Sequence, residues 1–410
     1  MLLDQLETTA PLTWRQIIPM VLGRLICNTA FRMIYPLLTF LAAGLAVDLQ
    51  TASLLVTVQV GAALISPLGG IMSDARGERT TMIWGLVVFS SGTLICALAR
   101  QFWPFLLGYG LIGLGTALYL PALQAYASAR TSYARRGRVL GILELGWALS
   151  ALLGVTFLTY LVEARNAWAP AFWVLLGMAL LLLLWTLLRL PKVNHARATG
   201  AAGGWQLSLR VIRQPVVWAA LIFLICIMVA MELLFVSYAG WLEEVFGATV
   251  EQLGLVFGLL GVAELGGAAT AALLTDRLGK RRAVVTGFAA AALFQALLPL
   301  SAGNWGLFLV LFLCMGFCSE FAIVSTFPLL SGIVPTARGT VLALGVSAIG
   351  MGRVIGSRIS VPLWRNAGFL ANGLLAGGFS LLGALICLLL VHEGERAEVA
   401  EVRRPDAATG

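Results

Sequence analysis

Charged side chains are scarce in this chain. Of its 410 residues 11% are charged, whereas 60% are hydrophobic. Soluble globular proteins usually carry about 25% charged residues, so the composition excludes a soluble enzyme. Long apolar runs without alternation, such as residues 171–188, predict membrane-spanning helices, in which each backbone N–H and C=O group is satisfied within the segment. We therefore expect an all-α membrane protein.

Residues that would support catalysis or nucleotide use are missing as well. The two histidines, His195 and His392, lie in a loop and at a helix end, which excludes an imidazole proton relay at mid-membrane. No cysteine lies near a histidine at a metal-binding spacing, and the sequence has no G-x-x-x-x-G-K-[S/T] motif. We therefore predict no enzyme activity and no cofactor, and an energy source in an ion gradient or downhill flux.

Twelve hydrophobic stretches, called spans 1 to 12, are long enough to cross a bilayer. Lysine and arginine concentrate in the loops after even-numbered spans, whereas the opposite loops contain only Arg100, Arg165 and Arg365. The net charge of +8 thus follows the positive-inside rule and does not indicate a nucleic-acid partner. We expect a multi-pass protein of the cell's inner (plasma) membrane with both termini cytoplasmic. The spans cover residues 17–42, 52–72, 80–99, 103–127, 139–161, 169–189, 215–238, 252–274, 283–301, 305–327, 339–361 and 369–391.

The longest loop divides the chain into two sets of six spans. Residues 191–214 are basic and rich in glycine and alanine, a composition typical of a cytoplasmic linker with a stretch at the lipid surface. We expect an N-terminal six-helix bundle over residues 1–190 and a C-terminal one over residues 215–392. Residues 393–410 are predicted to form a cytoplasmic tail.

A charged motif recurs at corresponding places in the two halves. GGIMSDARGERTTM at residues 69–82 returns as ALLTDRLGKRRAVV at residues 272–285, with Asp74 and Asp276 separated by 202 positions. The same offset relates residues 135–154 to residues 337–356. Two matches at one offset indicate that the halves are parallel structural repeats.

These motifs resemble the signature of the major facilitator superfamily, which is roughly G-x-x-x-D-R-x-G-R-R between spans 2 and 3. The resemblance covers essentially the whole chain and implies twelve transmembrane helices in two pseudo-symmetric six-helix bundles. It also implies a cytoplasmic gate, in which Asp74 faces the start of span 11 near Gly339 and Asp276 faces the start of span 5 near Gly137. The predicted gate residues are Gly70, Asp74, Gly77, Arg79, Asp276, Arg277, Gly279, Lys280 and Arg281.

One branch of this family is matched more specifically. FRMIYPLL in span 1 and RVLGILELGWALSALLG in span 5 resemble the bacterial twelve-helix drug/proton antiporters. Two positions depart from that branch, which often has arginine in span 4 where this chain has Tyr109. It also has proline after the last glycine of the span 5 motif, where this chain has Val155.

Eight ionisable residues lie inside the predicted spans, where a charge costs at least about 2.5–3.5 kcal/mol. Equal numbers of arginine and glutamate allow mutual pairing, and Arg358 is close enough to a span end for its side chain to reach the interface. The alternative is a functional cavity, which the resemblance places between spans 1, 4, 7 and 10. The eight are Arg24, Arg32, Glu144, Glu232, Glu264, Glu320, Arg353 and Arg358.

The spans and helix faces on which these residues lie identify the candidates for substrate and proton binding. Residues 24, 28 and 32 are spaced by four and share one face of span 1. The predicted cavity residues are Arg24, Asn28, Arg32, Tyr35, Gln124, Tyr126, Glu232, Tyr238 and Glu320. The predicted proton-coupling residues, chosen because a desolvated carboxylate binds a proton more readily than one in water, are Glu144, Glu232, Glu264, Glu320 and Arg353.

Two of the glutamates are preferred as protonation sites. The sequence neighbours of Glu264 and Glu320 offer little polar relief, so both carboxylates are expected to be poorly solvated. Glu232 would rank ahead of them unless Arg32 neutralises it.

Three transport hypotheses follow, each with a small-molecule substrate and membrane lipids as partners and a monomeric protein. The preferred one is proton-coupled export of small amphiphilic or cationic compounds, with Glu232 or Glu320 attracting the cation. Alternatively, Arg24 and Arg32 bind the carboxylate or phosphate of an organic anion. A lipid or lysolipid flippase is the third, suggested by the apolar walls. A membrane sensor or scaffold would leave the duplicated motif without a purpose.

Overall fold

The computed structural model describes residues 12–65, 72, 76–131, 133–191, 213–334 and 338–391. These residues form helices joined by short turns. The helical segments of the first half are Trp14–Arg32 and Ile34–Gly44 (span 1), Leu49–Ala52, Leu54–Gly61 and the 3₁₀ turn Ala62–Ile65 (span 2), Glu78–Leu98 (span 3), Phe102–Ala129 (span 4), Tyr133–Leu149, the π segment Ser150–Val155 and Thr156–Arg165 (span 5), and Ala169–Arg189 (span 6). Those of the second half are Pro215–Phe235 and Tyr238–Phe246 (span 7), Val250–Leu278 (span 8), Lys280–Leu297 and the 3₁₀ turn Leu298–Ser301 (span 9), Trp305–Ile333 (span 10) and Arg338–Leu390 (spans 11 and 12).

Two six-helix bundles make up this all-α membrane protein, as the sequence predicts. Within the described residues, nine helices are long and apolar enough to cross a membrane, and the bent pair of span 1 makes a tenth. Span 2 adds a shorter apolar helix, Leu49–Gly61. The long helix Arg338–Leu390 holds two spans, because Gly368 interrupts it with φ 79° and ψ 163°. Glycine adopts this φ without the steric cost that a side chain would bring.

The motif glycines make the same turn in both halves. Gly77 has φ 86° and directly precedes span 3, and Gly279 has φ 85° and directly precedes span 9. Other residues adopt such a φ only with strain. The duplicated motif therefore has a duplicated backbone geometry, which explains why glycine stands at both positions.

Spans 1 and 7 are broken, which the apolar pattern did not predict. Span 1 bends by 48° at Met33, and span 7 is interrupted at Val236 and Ser237. Pro36 contributes to the first bend, because it has no N–H for the helical hydrogen bond to the carbonyl four residues earlier. Predicted cavity residues lie beside both breaks: Arg32 and Tyr35 at the first, and Tyr238 at the second.

Successive spans alternate in direction, so the loops after spans 2 and 8 lie on one side of the protein. We call this the motif side, and the opposite one the far side. The two halves contact each other on the far side through buried rings and polar pairs. Tyr35 of the first half stacks on Phe257 of the second, with ring centroids 6.0 Å apart. The polar pairs include Thr39 with Glu243, Thr57 with Ser357 (3.0 Å between hydroxyl oxygens), and Thr156 with the Gly254 carbonyl (3.3 Å). The far side is therefore closed.

The motif side has a different character. Gly70 and Asp74 lie outside the described residues, as does most of the predicted linker and all of the predicted tail. Arg79 donates to the Leu187 carbonyl at the end of span 6 (2.7 Å), within its own half. Asp276 is exposed at the end of span 8 rather than buried against span 5. Its motif neighbours Arg277, Gly279 and Arg281 are also exposed, and Lys280 is half-buried.

Candidate functional site

Arg32 and Glu264 form a buried ion pair between the two halves. Arg32 Nη1 lies 2.7 Å from Glu264 Oε2 and Nη2 lies 2.9 Å from Oε1, so the pair is bidentate. The guanidinium also lies over the ring of Trp147, 4.4 Å from its centroid, and over Phe257 at 5.0 Å. Only such close geometry offsets the cost of desolvating both ions. Glu264 is buried, and the polar relief that its sequence neighbours do not offer comes from Arg32 of span 1.

A second ion pair joins spans 7 and 11 and includes a tyrosine from the other half. Arg353 Nε donates to Glu232 Oε1 at 2.6 Å. Tyr35 OH donates to the same oxygen at 2.8 Å and accepts from Arg353 Nη2 at 3.0 Å. Glu232 is fully buried, and its Oε2 atom has no hydrogen-bond partner among the described residues. Arg353, not Arg32, is thus the arginine that neutralises Glu232.

The third pair lies closer to the motif side and is open to solvent. Arg24 donates from Nη2 to Glu144, and Gln124 donates to the other carboxylate oxygen at 3.2 Å. The Glu144 side chain is 55% exposed, whereas that of Arg24 is 10% exposed. The Nε and Nη1 atoms of Arg24 have no partner among the described residues. Gly146 allows this approach, since a Cβ there would come within 3.1 Å of Arg24 Cβ.

Glu320 is different from the other three glutamates. It is half-buried on span 10 beside Gly267 of span 8, where an added Cβ would lie 3.2 Å from Glu320 Cβ. It interacts electrostatically with Glu264, Arg32 and Glu144. Unlike Glu144, Glu232 and Glu264, it forms no hydrogen bond or ion pair among the described residues.

The three ion pairs and Glu320 form a charged cluster, in which each arginine pairs with a glutamate and Glu320 has no hydrogen-bond or ion-pair partner among the described residues. With all four carboxyl groups ionised, this cluster has one more negative than positive charge. An uncompensated carboxylate within a membrane protein is costly unless a cation or a proton neutralises it. This arrangement can bind one monovalent cation or one proton at a time.

The remaining predicted cavity residues, and Arg358 from the eight ionisable residues, form none of the three ion pairs. Tyr126 donates to the Pro191 carbonyl (3.3 Å) at the end of span 6. Tyr238 donates to the Leu253 carbonyl (3.4 Å), so its hydroxyl bonds within its own half. Asn28 is buried, and its amide nitrogen has no partner among the described residues. Arg358 is exposed and is not part of the three pairs.

Sequence reasoning missed Glu243, whose carboxylate binds the Thr39 hydroxyl across the halves. The predicted span 7 ended at residue 238, which placed Glu243 in a loop. The helix in fact resumes after the break and continues to Phe246. A search for carboxylates one to two turns beyond the predicted end would have found it.

Three comparisons with known proteins agree with this fold. The Major Facilitator Superfamily model matches residues 20–262 and 222–409. An uncharacterized MFS-type transporter, YwfA of Bacillus subtilis (strain 168), is 25% identical over 365 residues, which are 86% of each chain. The chromaffin granule amine transporter of Rattus norvegicus is 24% identical over 356 residues, covering 84% of this chain and 66% of its own. A crystal structure of a D-xylose–proton symporter has a TM-score of 0.74 and 19% identity, over 92% of this chain and 97% of that chain.

Proposed function

Because the chain belongs to the major facilitator superfamily, a family of membrane transporters and not of enzymes, we propose that it exports small amphiphilic organic cations in exchange for protons. The observation that carries this proposal is Glu320, which has no hydrogen-bond or ion-pair partner among the described residues, whereas Arg24, Arg32 and Arg353 are each paired. A bound cation would balance the cluster, whereas an anion would have to displace a glutamate. The name of the amine transporter relative supports the same substrate class, because amines are protonated near neutral pH.

Exchange follows from competition for one carboxylate. A cation that enters from the motif side binds Glu320, and the halves then rock so that the far side opens. Opening separates Arg32 from Glu264 and Tyr35 from Glu232, since both contacts join the two halves. A proton that arrives from the far side then replaces the cation on Glu320. One excess carboxylate implies one proton for each monovalent cation.

The other predicted proton-coupling residues act through the pairs. Glu264 binds a proton from the far side when Arg32 separates from it, because a buried carboxylate is costly without a compensating charge. It returns this proton to the far side when the pair re-forms, so the one-to-one exchange at Glu320 is unchanged. Glu232 retains Arg353, which lies in the same half and moves with it. Glu144 is exposed on the motif side, where it attracts cations to the cavity.

Binding of tetraphenylphosphonium to the purified protein in mild detergent tests the proposal. The charge of this cation does not titrate, so any pH dependence comes from the protein. We expect the cation to raise the unfolding temperature more above neutral pH than below it, because protons compete for Glu320. Glu320→Gln should weaken the binding at least about tenfold, equivalent to about 1.4 kcal/mol.

Glu244→Gln is the matched control, because Glu244 is an exposed far-side carboxylate whose partner, Arg365, lies 3.5 Å away. This variant should bind the cation as the unmodified protein does. Unchanged cation binding in Glu320→Gln would overturn the proposal.

Transport of an organic anion is the second candidate, and the free nitrogens of Arg24 favour it. These donors could bind a carboxylate bidentately if Glu144 moved away. Benzoate in the same assay separates the two: stabilisation by benzoate that is lost in Arg24→Gln, without stabilisation by tetraphenylphosphonium, would support anion transport instead.

The motif side is proposed to be cytoplasmic, in an inner (plasma) membrane, with the chain acting as a monomer. The basic loops after even-numbered spans support this topology. Labelling of Asp276→Cys with a membrane-impermeant maleimide tests it, in a background where the six native cysteines are replaced. We expect labelling in inside-out vesicles and none in intact cells, and the reverse would refute the topology.

A further inference from the structure

The bend of span 1 contains a carbonyl that accepts hydrogen bonds from two other spans. Tyr109 OH of span 4 donates to the Ala30 carbonyl at 2.7 Å, and Gln59 Nε2 of span 2 donates to it at 3.3 Å. Both side chains are buried. Broken membrane helices are tolerated when neighbouring side chains satisfy the backbone groups at the break. Tyr109 and Gln59 therefore stabilise the bend at Met33.

The break of span 7 has the same arrangement with different side chains. Ser360 Oγ of span 11 and Asn372 Nδ2 of span 12 donate to the Leu233 carbonyl at 2.8 and 2.9 Å. Ser237, which lies in the break, donates to the same oxygen at 2.8 Å. Asn372 Nδ2 also lies 3.0 Å from Ser237 Oγ, so the amide contacts one residue before the break, Leu233, and one residue within it, Ser237. Ser360 and Asn372 are fully buried.

These two carbonyls occupy equivalent positions in the repeats. Ala30 and Leu233 are 203 positions apart, and Met33 and Val236, at the two breaks, have the same separation. This differs by one residue from the offset of the charged motifs. The donors are not equivalent residues, since the first half uses tyrosine and glutamine and the second uses serine and asparagine. The conserved feature of the two bundles is the stabilised break itself.

The charged residues that join the halves stand directly beside these carbonyls. Arg32 lies two residues after Ala30, and Glu232 immediately precedes Leu233. The direction of each guanidinium and carboxylate therefore depends on the geometry of its break. A break that relaxed into straight helix would rotate these side chains away from their partners.

We infer that Tyr109 and Asn372 are positioning residues of the transport cycle: by binding the carbonyls of Ala30 and Leu233, they hold the breaks that direct Arg32 and Glu232 into the contacts closing the far side. This inference requires that the two halves move against each other. It does not depend on which substrate the protein carries, so it can fail or succeed separately from cation export.

Distances between spin labels across the far side measure its closure directly. Gln50→Cys and Ala302→Cys are suitable label sites, since both residues are exposed on the far side and belong to opposite halves. The six native cysteines are replaced first. Loss of one hydrogen bond should shift the ratio of closed to open far side by about 2- to 10-fold, so we expect Tyr109→Phe to increase the open population by this factor. Asn372→Ala should increase it at least as much, because the Asn372 amide also lies within hydrogen-bond distance of Ser237 and Ser360.

Matched controls exist on the same spans. Tyr119→Phe removes a fully buried span 4 hydroxyl that has no partner among the described residues. Ser380→Ala removes a buried span 12 hydroxyl that bonds Gln295 (2.7 Å), away from the breaks. Neither control should change the distance distribution. If Tyr109→Phe and Asn372→Ala behave as their controls do, the inference is overturned.

A double variant separates positioning from a general structural role. If Tyr109 acts through the pair of Arg32 and Glu264, Tyr109→Phe should have no further effect on far-side closure once Arg32→Gln has removed the pair. Additive effects would show that Tyr109 only supports the fold and would overturn the inference. Should Asn372→Ala fail to fold, Ser360→Ala removes one donor to the same carbonyl and replaces it in the comparison.

Discussion

The two ends of the interface between the halves differ in how their polar groups are satisfied. Arg32 and Glu264, near the middle of spans 1 and 8, are buried and bonded to each other in two places. Beyond them, on the far side, hydrogen bonds such as that of Thr57 with Ser357 join the halves. Towards the motif side, Glu144 is more than half exposed. Glu320, near the middle of span 10, has no ion pair among the described residues. The far end is thus closed by the protein's own contacts. The motif end keeps groups that a ligand, a proton or the opposite half can still bind.

The repeats share backbone geometry but not charge. With the offset of 203 positions, Arg32 corresponds to Phe235 and Glu232 corresponds to Thr29. Each half therefore has an ionisable residue beside its break, which is an arginine in the first half and a glutamate in the second. Their partners differ as well, because Arg32 pairs with Glu264 across the interface, whereas Glu232 pairs with Arg353 in its own half.

The comparison is tested most strongly by removing the arginine of the buried pair, Arg32, and the arginine of the exposed pair, Arg24, in separate variants. Arg32→Ala leaves Glu264 buried without a partner, and should cost about 3–5 kcal/mol of stability. Arg24→Ala should cost much less, because its partner Glu144 is exposed and can be solvated by water. Thermal unfolding in mild detergent at one pH measures both.

The double variant Arg32→Ala with Glu264→Ala is the control for the unpaired Glu264 carboxylate that Arg32→Ala leaves behind. It should recover part of the lost stability, because no unpaired carboxylate is left in the membrane. Equal losses in Arg32→Ala and Arg24→Ala would contradict the difference between the two ends.

A smaller effect is expected from the hydroxyl pair on the far side. Thr57→Val removes the hydrogen bond to Ser357 while it keeps the side-chain shape, and should weaken far-side closure by about 0.5–1.5 kcal/mol. Thr186→Val is the control, because the Thr186 hydroxyl bonds the Leu182 carbonyl of its own helix. Spin-label distances across the far side should change in the first variant only, and an equal change in both would argue against a closing role for Thr57.

The sequence indicated that ions inside the spans pair, but it did not identify the partners. Eight ions inside the spans, four of each sign, indicated pairing, and three pairs are present. The partner of Glu232 is nevertheless Arg353 and not Arg32, and the partner of Glu264 comes from the other half. Spacing along a helix shows which face a residue occupies. It does not show which helix faces it, since that depends on how the bundles dock.

The breaks in spans 1 and 7 escaped prediction for a related reason. Apolar residues continue through both breaks, so hydropathy gives no signal for them. The side chains that satisfy the freed backbone, Tyr109 and Asn372, come from spans that are distant in sequence. A hydrogen bond of this kind exists only after the helices have packed.

The sequence by itself determined that this protein is a helical membrane protein built from two repeats, because hydropathy and a constant offset are local properties that do not depend on folding. The duplicated glycines also determined the turns before spans 3 and 9, since the required φ is accessible to glycine alone at low cost. Only the tertiary structure decided that the far side is closed and that Glu320 has no partner. Both facts depend on contacts between residues more than a hundred positions apart, and bundle packing alone brings those residues together.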